Sequence, residues 1–159
     1  MNYFELFELP VSTTINRQLL AKKYFELQKK FHPDFYTQAS DWEQQEALEK
    51  TSELNNAFKV LKDPDATLQY LLKIKQVLTE EEKYPLPADF LMEVMELNEN
   101  LTDSSAAAIE QFEQQLHAGV ATIINNYDDA SVTSAQLLQL KEYYYKKKYL
   151  QRILERLDG

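Results

Sequence analysis

Residues 19–34 read LLAKKYFELQKKFHPD. Four apolar residues of this stretch recur at steps of four, three and four, namely Leu20, Tyr24, Leu27 and Phe31. This spacing predicts an amphipathic helix with one buried stripe. Pro33 fixes its own φ and disfavours the α region for His32, so the helix is expected to end near Phe31. His32 and Asp34 should therefore lie on a stiff, exposed loop.

A second helix is predicted from about Asp41 to Leu61. Its inner side would carry Ala47, Thr51, Leu54, Phe58 and Leu61. The two helices should pack as an antiparallel hairpin. A short apolar lead-in at residues 2–9 precedes them, and the Ser12-Thr13-Thr14 cluster is able to cap a first helix that begins near Ile15. A shorter helix over residues 66–75 should follow the turn at Lys62-Asp63-Pro64-Asp65.

The second half of the chain predicts three further helices. Residues 76–87 contain two prolines and three consecutive glutamates, which favours a linker. Helices are then expected over residues 88–101, after a Thr102-Asp103-Ser104 cap, and after Asp128-Asp129, and an antiparallel three-helix bundle is their natural packing. We therefore predict an all-α fold with an N-terminal domain over 1–75, a linker over 76–87 and a C-terminal domain over 88–159.

Composition excludes several classes of function. The 159 residues include no Cys and only two Gly, so thiolate metal sites are impossible and glycine-rich phosphate loops are not expected. The net charge is −9, with ten Lys or Arg against eleven Asp or Glu in residues 1–75 and seven against fifteen in residues 76–159. This balance argues against a nucleic-acid partner. Without a basic leader or a long apolar run, we expect a cytoplasmic protein that has no membrane partner and no cofactor.

The charged groups around the loop allow two interpretations. Cations on the exposed side of the first helix are Lys22, Lys23, Lys29 and Lys30, and a charge run of this kind is most often a solvated face. Asp34 is also a favoured residue for capping the next helix, so the turn could satisfy itself. Alternatively, His32 donates and Asp34 pairs with an arginine of a partner, while Pro33 lowers the ordering cost of both.

The context of the tripeptide resembles a J-domain. A basic helix leads into His32-Pro33-Asp34, and the following helix ends in ELNNAFKVLKDP at residues 53–64. The resemblance implies that residues 1–75 recruit a DnaK-type heat-shock chaperone and stimulate its ATP hydrolysis. The residues implied in chaperone binding are Lys22, Lys23, Lys29, Lys30, His32, Pro33 and Asp34. Phe35 departs from the pattern, because many J-domains have Lys directly after the tripeptide.

Two further stretches are similar to HscB, the J-protein family of iron–sulfur cluster assembly. They are NYFELFELP at residues 2–10 and FLMEVMEL at residues 90–97. The resemblance implies that the C-terminal domain binds an IscU-type scaffold for transfer to the chaperone HscA. The implied scaffold-binding residues are Leu91, Met92, Met95, Glu96, Glu99 and Tyr149. The family more often has Leu at the position of Met95 and Phe at that of Tyr149.

The helix at residues 88–101 has two apolar faces. At about 100° per residue, Phe90, Val94, Leu97 and Leu101 form one stripe, whereas Leu91, Met92 and Met95 lie largely on the other side. A helix of a small bundle does not readily bury both faces, and exposed methionine suits an adaptable partner surface. The alternative is that Leu91 and Met95 pack under the linker or against the N-terminal domain.

Residues that suggest an enzyme are few. His32 and Asp34 would need a nucleophile and an oxyanion site. His117 lies four residues after Glu113, whereas helical di-iron sites use a spacing of three. The tract YYYKKKY at residues 143–149 mixes rings with cations, as single-strand nucleic-acid sites do, but a bundle helix with inward rings is the favoured interpretation. We therefore predict a co-chaperone that is not an enzyme; the alternatives are a J-domain protein with another client, a dimerising acidic bundle, or a metal-dependent helical enzyme.

Overall fold

The structure, a computed structural model, describes residues 1–98 and 103–158. All regular secondary structure in these two ranges is helical, which confirms the predicted all-α class. The helices are α1 (Tyr3–Leu6), α2 (Arg17–Phe31), a 3₁₀-helix (Pro33–Tyr36), α3 (Asp41–Leu61), α4 (Pro64–Ile74), α5 (Ala88–Asn98), α6 (Asp103–Asn125) and α7 (Ser134–Asp158). Contacts divide the chain into two compact units, Met1–Leu71 and Leu72–Gly159. The predicted domain limits at residues 75 and 88 stay predictions.

The first unit is built on the hairpin of α2 and α3. Its buried apolar side chains include Phe4, Leu20, Leu54, Ala57 and Leu61. The Tyr24 ring meets the Phe58 ring edge-on with centroids 4.1 Å apart. The Tyr24 hydroxyl donates to Asn55 Oδ1, and Gln28 Nε2 donates to the same oxygen at 2.6 Å. This polar group fixes the register of α2 against α3, because a slip of either helix would break both bonds.

The helix caps of the first unit differ from the expected ones. α2 begins at Arg17, and its cap is Asn16, whose side chain accepts from the Leu19 amide at 3.1 Å. Ser12 instead accepts from the Thr14 amide at 3.1 Å, two residues before α2 is reached. Asn, Ser and Thr are all good caps, so composition alone does not select among them.

Two helices end in a Schellman motif that lacks glycine. At the end of α1, the Leu9 amide donates to the Phe4 carbonyl at 2.8 Å and Glu8 has φ 55°. At the end of α4, the Val77 amide donates to the Leu72 carbonyl at 3.0 Å and Gln76 has φ 61°. Both Glu8 and Gln76 occupy the left-handed position for which glycine is favoured.

The second unit contains the predicted bundle of α5, α6 and α7. Its core is formed by Phe90, Val94, Ile109, Leu150 and Ile153. α7 begins with a capping box, in which the Gln136 amide donates to Thr133 Oγ1 at 3.1 Å and the Thr133 amide donates to Gln136 Oε1 at 3.0 Å. The expected core residue Leu101 and the expected cap residue Thr102 lie outside the described residues.

The segment predicted as a linker lies against α7. The Lys141 ammonium donates to the Val77 carbonyl at 2.8 Å and lies 3.0 and 2.8 Å from the two carboxylate oxygens of Glu82. The Tyr84 ring stacks on the Tyr145 ring at 4.6 Å. The hydrogen bond from Lys141 holds the pKa of Glu82 below its ordinary value, and burial, with Glu82 nearby, raises that of Tyr145 to about 12. Within the second unit, the segment therefore contacts α7 through both charged and aromatic side chains.

No helix within the described residues is long and apolar enough to cross a membrane.

Candidate functional site

The His-Pro-Asp turn begins where α2 ends. α2 stops at Phe31, as predicted, and His32 is extended with φ −60° and ψ 130°. Pro33 then opens the 3₁₀-helix at a position where its missing N–H costs nothing. The chain thus changes direction at His32 and leaves the His32 and Asp34 side chains on the surface, 49% and 86% exposed.

His32 itself organises the turn. Its Nδ1 accepts a hydrogen bond from the Asp34 amide at 3.2 Å, and the Asp34 carboxylate lies 3.6 Å from the same nitrogen. When the ring is neutral, Nδ1 accepts this bond and the ring proton lies on Nε2. The turn then offers one N–H donor from His32 and one carboxylate acceptor from Asp34.

Asp34 does not cap the following helix. Ser40 is the cap of α3, and its hydroxyl accepts from the Glu43 amide at 3.2 Å. The Asp34 carboxylate is therefore not engaged in a helix cap. In this geometry it can accept both N–H groups of a partner arginine.

The four predicted lysines do not form one uniform group. Lys22, Lys29 and Lys30 are exposed on α2. Lys23 is directed toward the end of α1, where its ammonium donates to the Glu8 carbonyl at 3.2 Å and lies 3.9 Å from the Glu8 carboxylate. Three cations thus remain on the outward face, whereas Lys23 also stabilises the turn after α1.

Two phenylalanine side chains of the first unit, Phe25 and Phe35, are exposed. The exposure of Phe25 was not among the predictions from the sequence. Phe25 is 65% exposed and lies on the helical face shared by Lys22 and Lys29. Phe35, directly after the tripeptide, is 72% exposed, and its ring is 6.2 Å from the His32 ring. The exposure of Phe25 could have been predicted, because the helical periodicity of α2 places position 25 outside the buried stripe.

α5 presents a second candidate surface. Phe90 and Val94 are buried in the core, whereas Met92 and Met95 are 63% and 61% exposed and Glu96 is exposed beside them. Leu91 is half-buried and packs against the core, so it is shared between the two faces. Glu99 lies outside the described residues.

Tyr149 belongs mainly to the core side of this surface. Its ring meets the Phe90 ring edge-on at 6.1 Å, and it is partly buried. The rest of the YYYKKKY tract is engaged within the bundle as well. Tyr143 is buried, and Lys146 pairs with Glu142 at 2.9 Å. These contacts fit the interpretation of inward rings on a bundle helix.

The residues considered for metal binding are His117 and Glu113 of α6. His117 is exposed on α6 with its ring 6.0 Å from Tyr143, and Glu113 lies 3.8 Å from the Lys147 ammonium. Across residues 1–98 and 103–158, no group of three or more histidine, aspartate or glutamate side chains could hold a metal ion.

Comparisons with known proteins agree with this arrangement. The DnaJ domain model matches residues 2–70, and the model described as the HSCB C-terminal oligomerisation domain matches residues 86–158. A basic helix, an exposed His-Pro-Asp turn and a helical hairpin, within a region that matches the DnaJ domain, define a J-domain protein.

Similar proteins identify the family of J-domain proteins to which the chain belongs. The chain is 33% identical over 172 aligned positions to a co-chaperone protein HscB homologue of Vibrio vulnificus, with all of both chains covered. It is 38% identical over 124 positions to that of Photobacterium profundum, covering 74% of this chain and 72% of the relative. The chain belongs to the HscB family of J-domain co-chaperones.

The structural comparisons extend over both units. Chaperone HscB from Vibrio cholerae matches with a TM-score of 0.68 and 28% identity over 99% of this chain and 96% of the other. Human co-chaperone protein HscB matches with a TM-score of 0.79 and 24% identity over 99% and 81%, which shows the shared fold. As a J-domain co-chaperone, the protein has a chaperone of the DnaK type as its partner.

Proposed function

We propose that this co-chaperone stimulates the ATPase of a DnaK/HscA-type chaperone and delivers to it an IscU-type scaffold for iron–sulfur cluster transfer. The observation that carries the first half is the exposed turn, in which the Asp34 carboxylate and the His32 ring both lie at the surface. In this proposal the protein acts in the cytoplasm and has no chemistry of its own.

The chemistry of the turn suits a charged partner surface. The Asp34 carboxylate accepts two parallel hydrogen bonds from an arginine, and His32 Nε2 donates to a carbonyl or carboxylate. Lys22, Lys29 and Lys30 add positive potential that steers an acidic surface toward the turn. Lys23 contributes less to this contact because it is held at Glu8.

The ATPase rate of the chaperone tests this half of the proposal. The protein is added to chaperone, scaffold and ATP, and stimulation by the wild type is compared with that by His32→Gln. His117→Gln is the matched control, because it makes the same change at an exposed position of α6. Equal stimulation by wild type and His32→Gln would reject the role of the turn.

The second half rests on the two faces of α5. Exposed Met92 and Met95 present flexible apolar side chains, with Glu96 at their edge, and an apolar patch flanked by carboxylates favours a partner with apolar and basic groups. We assign scaffold binding to Met92, Met95 and Glu96, with Leu91 and Tyr149 supporting them from the core side and Glu99 as a further proposed contact.

Titration of the scaffold tests this assignment. Met92→Ala/Met95→Ala should weaken binding by about tenfold or more, as expected for apolar anchors at the centre of an interface. Leu138→Ala is the control, because Leu138 is an exposed apolar residue of α7. An unchanged affinity of the double variant would reject the α5 surface.

The alternative is a J-domain protein whose acidic bundle serves another client or dimerises. The description of the matching C-terminal model as an oligomerisation domain favours examining dimerisation. Capture of an IscU-type scaffold by the immobilised protein discriminates the two, since the alternative predicts no capture. Sedimentation equilibrium measures self-association directly, and a dimer broken by Met92→Ala/Met95→Ala would support the alternative.

A further inference from the structure

The last two carbonyl groups of α2 receive hydrogen bonds from side-chain hydroxyls. The Tyr36 hydroxyl donates to the Lys30 carbonyl at 3.1 Å, and Thr51 Oγ1 donates to the Phe31 carbonyl at 3.0 Å. Carbonyls of a final helical turn lack partners within the helix. Here they are satisfied from two sides, by the 3₁₀-helix and by α3. We call these two bonds the hydroxyl latch.

The hydroxyl latch encloses the His-Pro-Asp turn. One bond joins the residue two positions before His32 to the residue two positions after Asp34, so it closes a short loop around the tripeptide. The other fixes the carbonyl directly before His32 to the middle of α3. The Phe35 amide also donates to the His32 carbonyl at 3.0 Å, which tightens the same loop from within.

Packing alone does not hold the Tyr36 ring in place. The ring borders a groove of about 300 Å³ that is also lined by Phe31, Ala47 and Lys50, so part of its surface has no close neighbour. Its hydroxyl therefore provides a directional contact that the open groove lacks. Thr51 is half-buried on α3 and connects the turn to the rigid hairpin.

We propose that Tyr36 and Thr51 are positioning residues that hold the turn in its binding conformation for the chaperone. This inference rests on the proposed ATPase stimulation. A loop that is ordered before binding loses less conformational freedom on association, so removing the hydroxyl latch should lower affinity and leave the maximal rate intact. The Tyr36 bond is exposed, so its loss should cost little folding stability, whereas the Thr51 bond is partly buried and its loss should cost somewhat more.

The experiment uses Tyr36→Phe, Thr51→Val and the double variant, which remove the hydroxyls and keep the shapes. We expect the concentration for half-maximal ATPase stimulation to rise by about threefold for each single variant and about tenfold for the double variant, with an unchanged maximum. Thr51→Ser keeps a hydroxyl and should restore the wild-type value.

Thr67→Val is the matched control. Thr67 Oγ1 also donates to two carbonyls, that of Val60 in the last turn of α3 at 3.1 Å and that of Asp63 between α3 and α4 at 2.9 Å. Because Thr67 is buried, this change should lower folding stability more than the latch variants do and leave half-maximal stimulation unaltered. If Thr67→Val raised the concentration for half-maximal stimulation as much as the latch variants do, loss of folding stability would explain the effect, and the inference would be overturned.

A second measurement is independent of the chaperone. Backbone amide order parameters of Asp34 and Phe35 from nuclear magnetic relaxation should fall in the double variant and stay at the wild-type value in Thr67→Val. Unchanged order parameters at these amides in the double variant would overturn the inference, whatever the ATPase assay shows. If the wild-type protein did not stimulate the ATPase at all, that result would instead count against the proposed function.

Discussion

Replacing Glu8 by glycine should stabilise the first unit. Glu8 has φ 55° at the left-handed position after α1. Holding a residue with a Cβ in this conformation costs about 1–2 kcal/mol. Glycine also increases the conformational entropy of the unfolded chain, which lowers the stability by about 0.4–1 kcal/mol. The Glu8 carboxylate lies 3.9 Å from Lys23 and is 89% exposed, so its loss has little effect. Taking the middle of the two ranges, the expected net gain is about 0.8 kcal/mol in the free energy of unfolding.

Urea unfolding followed by circular dichroism measures this gain. Glu8→Ala is the control, because it also removes the carboxylate but keeps the Cβ at positive φ. The reasoning requires Glu8→Gly to unfold at higher urea than both the wild type and Glu8→Ala, with an unchanged slope. If Glu8→Gly were no more stable than Glu8→Ala, backbone strain at this turn would not be the cause.

Three further predictions concern both units. Phe25→Ser should raise the concentration for half-maximal chaperone stimulation by about threefold or more and leave unfolding within about 0.5 kcal/mol of the wild type; unchanged stimulation would remove Phe25 from the interface. Glu82→Gln should cost about 2 kcal/mol at pH 7, because Lys141 loses its carboxylate partner. Since the pKa of Glu82 is lowered in the folded state, this difference is present above the ordinary value of 4.5 and should shrink as pH falls below it; a constant difference across acid titrations would contradict the ion pair. Leu150→Ala should lower stability by about 2–5 kcal/mol in calorimetry, and a loss under about 1 kcal/mol would mean that Leu150 is not central to the bundle.

Periodicity in the sequence predicted the helices well because most of them bury one stripe. The steps from Leu20 to Phe31 identified the inner side of α2, and Pro33 identified its end. Helix beginnings were harder, since several residues near Asn16 are equally good caps. The turns at Glu8 and Gln76 could not be predicted from glycine, because both positions hold other residues at positive φ.

The contacts of residues 76–87 with α7 could not be predicted from the sequence. Prolines and glutamates are typical of a linker, yet Lys141 lies 59 positions beyond Glu82 and binds it. No local pattern predicts such a pair. The same limit applies to the candidate site, where the motif predicted the turn, but the contacts of Tyr36 and Thr51 with the end of α2 required the fold.

The solvent-exposed methionines make the outer face of α5 sensitive to oxidants. Met92 and Met95 lie largely in solvent, and peroxide converts an accessible thioether to a polar sulfoxide. Two such changes on one face would replace its apolar character, so the scaffold binding that we propose for this face should weaken after peroxide treatment. Met92→Leu/Met95→Leu should be resistant in the same titration. The flexibility that suits this surface for binding therefore makes it chemically sensitive, and reduction of the sulfoxides would restore it.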